Sequence, residues 1–136
     1  MTTQAQPTVP DIYRMAYHLY QGGRYADAEN CFRLLTTLDL RNIHHWIGLG
    51  ASLQKQLKFS DAADAYGVAA IFEETETNPF PHLHAAECLF AAGEMPRALQ
   101  ALTSAQKIAS KDASFQNLSK QIYVLKERWE PLCQVT

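Results

Sequence analysis

Apolar and small residues recur along the chain at helical spacing and in a fixed order. The order is clearest between residues 46 and 69, where the positions concerned hold Trp46, Leu49, Gly50, Leu53, Ala62, Tyr66 and Ala69. Intervals of three and four residues place each half of this series on one face of a helix. The small members let two antiparallel helices approach closely, and the large members fill the space between them. The segment therefore predicts a pair of packed helices.

The same series occurs on both sides of this segment. Upstream it consists of Ile12, Met15, Ala16, Leu19, Ala28, Phe32 and Leu35. Downstream it consists of His82, Ala85, Ala86, Leu89, Ala98, Leu102 and Ala105. The period and the order are those of the tetratricopeptide repeat, a helix pair that buries its apolar face by stacking on neighbouring pairs. We predict an all-α fold, a right-handed superhelix of three tetratricopeptide helix pairs with a C-terminal capping helix.

Turn and breaker residues indicate where the repeats begin and end. We expect a mobile N-terminal tail over residues 1–10, a repeat domain over residues 11–129 and a C-terminal tail over residues 130–136. The repeats are expected at about residues 11–41, 42–77 and 78–110, and the capping helix at about residues 113–129. The apolar stripe of this last helix covers the open end of the third repeat. Pro131 is expected to end it.

The first helix has more apolar surface than its packing requires. Its packing stripe is Ile12, Met15, Ala16 and Leu19, whereas Tyr13, Tyr17 and Tyr20 form a second stripe about 120° away. In the repeat register these tyrosines fall on the inner, concave wall of the superhelix. The corresponding places in the later repeats hold His44, Ile47, Ala51, Phe80, Leu83 and Phe90. The pattern predicts an aromatic and aliphatic groove, although Tyr17 and Tyr20 also fit a purely internal role between adjacent first helices.

The residues of this wall restrict what the groove can bind. Tetratricopeptide adaptors that hold a free C-terminal carboxylate use Lys, Arg and Asn on this wall, whereas this chain has Tyr13, Tyr17, Ile47 and Ala51 there. An extended apolar segment is the better ligand. Prolines within it would reduce the entropy that it loses on docking.

Composition disfavours several other functions. The net charge of -2 provides no basic surface for nucleic acid, and no apolar run is long enough to span a membrane. The first residues lack the positive start and apolar core of a secretory signal. Cys31, Cys88 and Cys133 are odd in number and far apart, so they are expected to be reduced, mostly buried thiols.

The histidines do not form a convincing catalytic or metal site. On a helix the side chains of His82 and His84 point about 160° apart, and neither has a second ligand one turn away. We interpret them, together with His44 and His45, as residues of helix starts and of the groove rim. We therefore predict no enzyme activity, no catalytic residue, no metal and no cofactor.

Several short runs resemble one protein family. They are Tyr25-x-Asp27-Ala28, Leu38-Asp39, Gly48-Leu49-Gly50-Ala51 and His84-Ala85-Ala86-Glu87-Cys88-Leu89 followed by Gly93-Glu94. Together they resemble the class II chaperones of bacterial type III secretion systems, over about residues 11–129. The run that begins at His84 is the most specific of them, because many unrelated scaffolds share the general repeat pattern.

The resemblance implies a chaperone of the bacterial cytoplasm that keeps hydrophobic translocator proteins soluble until export. In that family an extended translocator segment of the form Pro-x-Leu-x-x-Pro lies in the concave groove. The matching contact positions here include Tyr13, Tyr17, Tyr20 and Leu38. Some members also bind a transcriptional activator or form homodimers, so the resemblance allows these partners too. The alternative function is a general tetratricopeptide adaptor or regulator that assembles folded proteins.

Overall fold

The computed structural model describes residues 5–134, which form seven α-helices and no β-strand. The helices are α1 (Val9–Gln21), α2 (Tyr25–Leu38), α3 (Ile43–Lys55), α4 (Phe59–Phe72), α5 (Phe80–Ala91), α6 (Met95–Ala109) and α7 (Gln116–Cys133). A short 3-10 turn, Ala113–Phe115, leads into α7. Each helix packs against the next one along the chain, and α1 also contacts α3. The predicted all-α architecture of three helix pairs and a final helix is confirmed.

Alanine and glycine allow the helices of each pair to lie close together. Ala28, Ala62 and Ala98 hold equivalent positions in the second helices, and all three are fully buried. The equivalent positions in the first helices hold Ala16, Gly50 and Ala86, which are buried as well. A larger side chain at any of these places would push the two helices apart, so the repeated small residues define the spacing of the superhelix.

Two aromatic rings pack directly against the backbone of α3. A Cβ atom at Gly48 would lie 2.2 Å from the ring of Phe32, and a Cβ atom at Gly50 would lie 2.9 Å from the ring of Tyr66. Both rings are buried, so neither has space to move aside. Glycine is therefore required at these two positions for the neighbouring second helices to approach α3.

The turns inside the three pairs share one backbone conformation. Gly23, Leu57 and Gly93 occupy equivalent positions, and their φ angles are 79°, 62° and 80°. Glycine adopts this left-handed conformation without cost, whereas a residue with a Cβ atom is strained in it. Packing of the Leu57 side chain does little to offset this strain, because Leu57 is 72% exposed.

A buried carboxylate joins α2 to the turn between α3 and α4. The Nε2 atom of Gln56 donates to Oε1 of Glu29 at 2.9 Å, and Nζ of Lys58 lies 3.2 Å from the same oxygen. The Nε atom of Arg33 donates to Oε2 at 2.8 Å. Burial alone would raise the pKa of Glu29, but these three donors outweigh it and hold the pKa below its ordinary value.

The ends of the helical region differ from the sequence prediction. Helix α1 begins at Val9, inside the predicted tail of residues 1–10, because a capping box stabilises its start. The backbone N–H of Asp11 donates to the hydroxyl of Thr8, and the backbone N–H of Thr8 donates to the carboxylate of Asp11. Residues 1–4 lie outside the described part of the chain. At the other end α7 does not stop before Pro131 but runs on to Cys133. A proline so close to the end of a helix removes only one backbone hydrogen bond, so the last turn persists.

One core assignment is wrong. Met15 was predicted on the packing stripe of α1, but its side chain is 57% exposed. Within residues 5–134, α1 packs mainly against α2 and also contacts α3, so its apolar stripe is covered over a narrower arc than in the later repeats. Ile12 and Ala16 alone are buried on this helix.

We predict that opposite substitutions in two equivalent turns change stability in opposite directions. Gly93→Ala should lower the free energy of unfolding by about 1 kcal/mol, because it places a Cβ atom in the left-handed region. Leu57→Gly should raise it by about 0.5 kcal/mol, because relief of strain exceeds the added flexibility of the unfolded chain. No atom lies within 4 Å of a Cβ atom at Gly93, so steric clashes do not contribute. Urea unfolding followed by circular dichroism measures both, and a destabilised Leu57→Gly variant would contradict the interpretation.

We also predict a pH-dependent contribution from Glu29. Because its pKa is lowered in the folded state, its stabilising effect is fully present above the ordinary value of 4.5 and is lost as the pH falls through the folded pKa. Glu29→Gln should therefore cost about 1 to 2 kcal/mol at neutral pH, and the difference from the wild type should shrink below about pH 4. Urea titrations across this range test it, with exposed Glu130→Gln as the control. A difference that is independent of pH would refute the assignment.

Candidate peptide-binding groove

The residues predicted to line the groove come from α1, the end of α2, α3 and α5. The exposed ones are Tyr17, Leu38, His44, Phe80 and Phe90. The half-buried ones are Tyr13, Tyr20, Ile47 and Ala51, and the buried one is Leu83. Most of the predicted wall therefore has side-chain surface that a ligand can contact.

Tyr13 stands at the centre of an aromatic cluster built by three helices. Its ring centroid lies 6.5 Å from that of Tyr17 on α1, with the two rings nearly parallel. The ring of Phe32 on α2 meets Tyr13 edge-on at 6.1 Å, and His45 on α3 lies 5.5 Å away. Phe32 belongs to the core, so Tyr13 is supported from behind while Tyr17 is 50% exposed in front. The cluster presents a rigid aromatic surface to solvent.

Tyr20, the third tyrosine of α1, packs in a different direction from Tyr13 and Tyr17. The ring of Tyr20 meets the ring of Tyr25, at the start of α2, edge-on at 5.3 Å. The aromatic neighbour of Tyr17 is on its own helix. The aromatic contacts of both tyrosines thus lie within the first repeat, and Tyr20 also packs against the core.

His45 is a functional candidate that the sequence analysis placed at the groove rim, but it is only 2% exposed. Its Nδ1 atom has no hydrogen-bond partner and lies 3.9 Å from Oδ2 of Asp39, the residue that follows α2. The sequence contained a signal for this burial. His45 precedes Gly48 by three residues, so both share the face of α3 that packs on α2.

A cleft of about 620 Å³ opens beside this cluster, at the start of α1. It is lined chiefly by Val9, Pro10, Tyr13, Asp39, His44 and His45. Arg14 also reaches it, but its guanidinium pairs with Asp11. The first-repeat end of the predicted wall is therefore concave, apolar on the α1 side and polar on the α3 side.

The third repeat contributes less open surface than predicted. Leu83 is 8% exposed and is part of the core, so it does not offer an open wall. The reason is that α5 packs between α4 and α6, and that the final segment, which comprises the 3-10 turn Ala113–Phe115 and α7, contacts both of its ends. The ring of Phe80 meets Phe115 at 5.9 Å, and the ring of Phe90 stacks on Trp129 at 4.5 Å.

Of the three cysteines, which were expected to be mostly buried, Cys88 alone is buried, and Cys31 and Cys133 are half-buried. Cys31, Cys88 and Cys133 are all free. Burial raises the pKa of Cys88 to about 12, and burial also raises the pKa of Cys31. A thiol with so high a pKa is a poor nucleophile at neutral pH. Within residues 5–134, no group of three or more His, Cys, Asp or Glu side chains is arranged to hold a metal ion.

A second cleft, of about 650 Å³, lies between α4, α5 and α6. Its lining includes Gly67, Glu73, Glu76, His82, Arg97 and Ser104. It therefore mixes acidic and basic side chains and has none of the residues predicted for the groove. Burial lowers the pKa of His82 in this cleft, although Glu76 and Glu73 act in the opposite direction.

Comparison with known proteins agrees with this architecture. A family model for the tetratricopeptide repeat matches residues 11–42 and 45–74. Low calcium response locus protein H of Yersinia pestis is 35% identical over 115 residues, which make up 85% of this chain and 67% of that protein. The chain belongs to the family of this protein and of the type III secretion translocator chaperone SycD. The family prediction made from the short sequence runs is confirmed.

Solved structures extend the likeness over the whole translocator-chaperone fold. The Yersinia enterocolitica type III secretion translocator chaperone SycD superposes with a TM-score of 0.81 and 28% identity, over 98% of this chain and 90% of its own. SycD in complex with a peptide of the translocator YopD gives a TM-score of 0.81 and 29% identity, over 96% of this chain and 98% of that one. The predicted superhelix of three tetratricopeptide pairs and a capping helix is thereby confirmed. None of the helices within residues 5–134 combines the length and the hydropathy of a membrane span.

Proposed function

We propose that this translocator chaperone acts in the bacterial cytoplasm, where it binds a hydrophobic translocator protein and keeps it soluble until export. The segment that it holds is extended, apolar and of the Pro-x-Leu-x-x-Pro kind. The observation that carries the proposal is the stacked pair of Tyr13 and Tyr17, an aromatic surface that the core supports and that residues 5–134 leave partly exposed. The complex of the related SycD with a YopD peptide supports it.

The proposed contacts follow the inner faces of the first helices. They are Tyr13, Tyr17, Tyr20, Leu38, His44, Ile47, Ala51, Phe80 and Phe90, with Leu83 behind them. The final segment covers part of Phe80 and Phe90, so the first repeat offers the larger open aromatic area. We therefore place the strongest anchor of the bound segment against α1.

The proposed binding unit is the repeat domain of about residues 11–129, with repeats at about 11–41, 42–77 and 78–110. Helix α7 closes its far end. Ile122 and Trp129 of this helix are buried, and its exposed residues include charged side chains. A closed end keeps the last repeat from exposing its apolar side.

The free energy expected for binding in the groove is that of a reversible complex with a client. Burial of one leucine-sized anchor contributes about 1.5 to 3 kcal/mol. Two or three anchors, less the cost of ordering the segment, correspond to a dissociation constant on the order of micromolar. Prolines in the segment reduce that ordering cost, because they restrict the free peptide in advance. No nucleotide is needed to release a client bound at this strength.

The proposal predicts that aromatic surface on α1 is necessary for client binding. Tyr13→Ala combined with Tyr20→Ala should weaken a fluorescent Pro-x-Leu-x-x-Pro peptide at least about tenfold and abolish co-purification of a co-expressed translocator. Tyr17→Ala should weaken the peptide about fivefold, and its half-exposed ring makes loss of folding a minor concern. Fluorescence anisotropy measures the affinities, and circular dichroism confirms that each variant retains its helices.

Tyr123→Ala is the matched control, because this tyrosine on α7 is exposed to a similar degree but lies outside the proposed wall. It should bind the peptide like the wild type. Unchanged binding by both α1 variants would refute the proposal. Co-expression separates the chaperone from a general adaptor: a chaperone makes an otherwise insoluble apolar client soluble, whereas an adaptor binds a client that is already soluble alone.

A further inference from the structure

Gln54 on α3 is a polar member of the groove wall that the sequence analysis did not assign. It follows Ile47 and Ala51 at helical spacing, so the three residues share one face of α3. In the repeat register it corresponds to Tyr20 and Phe90, which were both assigned to the wall. Its side chain is half-buried. The second repeat therefore places a carboxamide where the first and third repeats place an aromatic ring.

The amide of Gln54 is held by a buried hydroxyl from α4. Oη of Tyr66 donates to Oε1 of Gln54 at 2.9 Å, and Tyr66 is only 2% exposed. The ring of Tyr66 is itself fixed, because it packs on the backbone of α3 at Gly50 and lies 5.2 Å from the ring of His84. The core therefore sets the position of the hydroxyl, and the hydroxyl sets the direction of the amide.

Only one orientation of this amide gives the hydroxyl of Tyr66 an acceptor within the chain. In residues 5–134 the hydroxyl makes no other hydrogen bond, so its hydrogen points to the carbonyl oxygen of Gln54 and not to the NH2 group. Burial raises the pKa of Tyr66, so the hydroxyl stays protonated and continues to donate.

The NH2 group of Gln54 is left free to donate. The buried side-chain polar atoms without a partner in residues 5–134 are Nδ1 of His45 and Nδ1 of His84. Nε2 of Gln54 makes no hydrogen bond in the same range and is not one of these buried atoms, so it reaches solvent on the groove side. The wall thus contains a donor of fixed direction with two available hydrogens.

An extended client segment needs such a donor. Its backbone carbonyls have no helix or sheet partner, and burial of an unpaired carbonyl against an apolar wall is unfavourable. Prolines in the segment have no N–H group, so its backbone has more acceptors than donors. The side chains of Ile47 and Ala51 offer no hydrogen bond, whereas the NH2 group of Gln54 is already oriented and loses little freedom when a segment binds.

We propose that the NH2 group of Gln54, oriented by Tyr66, donates to a backbone carbonyl of the bound client segment. Gln54 is the contact residue, and Tyr66 is a positioning residue that acts through it. The inference rests on the proposed function, because it concerns the same groove. A contact with the backbone fixes the register of the segment without depending on the side chains at its x positions.

A peptide without polar side chains tests the contact. Pro-Ala-Leu-Ala-Ala-Pro with both ends blocked has hydrogen-bonding groups on its backbone only, and titration calorimetry measures its affinity for the folded protein. Gln54→Glu, which keeps the size of the side chain but cannot donate at neutral pH, should weaken binding at least about tenfold. Gln54→Leu should weaken it about fivefold. Gln106→Glu is the matched control and should bind like the wild type, because this half-buried glutamine lies on α6, a second helix outside the wall.

Tyr66→Phe tests the positioning role, since it removes the hydroxyl and keeps the ring. It should weaken the peptide about threefold on its own and have no further effect when combined with Gln54→Leu, because no amide is then left to orient. An equal loss with and without Gln54→Leu would show a structural effect and overturn the positioning role. In the wild type, the side-chain NH2 resonances of Gln54 should shift when the peptide is added, and this measurement requires no variant to fold.

The outcomes separate this inference from the proposed function. If Gln54→Glu binds the peptide as tightly as the wild type or more tightly, the donor role is wrong, because a carboxylate can only accept. Unshifted NH2 resonances of Gln54 in the peptide-bound wild type would overturn the contact as well. Either result leaves the proposed function intact, whereas failure of the wild type to bind the peptide would refute the proposed function itself.

Discussion

The contact between the ring of Phe32 and the backbone of α3 at Gly48 determines how the first-repeat end of the proposed groove is shaped. Because position 48 has no Cβ atom, the ring enters far enough to pack α2 against α3. The same ring meets Tyr13 edge-on, so it also supports the tyrosine that faces the groove. His45 lies one turn before Gly48, and its ring lies 5.5 Å from the ring of Tyr13. A substitution that changes how Phe32 packs on Gly48 should therefore also move Tyr13.

The two ends of the superhelix differ in how much of the inner face they leave open. In the first repeat, α1 packs mainly against α2 and α3, and Met15 and Tyr17 are exposed. In the third repeat, the final segment packs against Phe80 and Phe90, and Leu83 is drawn into the core. The same repeat pattern therefore leaves an exposed face at one end and a covered face at the other, depending on which helices lie beside it.

Much of the fold could be predicted from the sequence, because the repeat pattern consists of local spacings that each have a packing reason. The helix pairs and the equivalent turns at Gly23, Leu57 and Gly93 follow from it directly. The exposure of Met15 and the burial of Leu83 could not be predicted in this way, since both depend on which helices cover a face. The buried state of His45 was accessible in principle from its distance to Gly48, but the imidazole suggested a solvent-exposed rim.

The central claim is that the inner face of the first two repeats receives an extended client segment. The most direct measurement is the change in backbone amide chemical shifts of the isotope-labelled protein when a Pro-x-Leu-x-x-Pro peptide is added. The account predicts the largest changes along α1 and α3, around Tyr13, Tyr17 and Ile47. Changes centred instead on the cleft between α4 and α6, around Gly67 and Ser104, would contradict it.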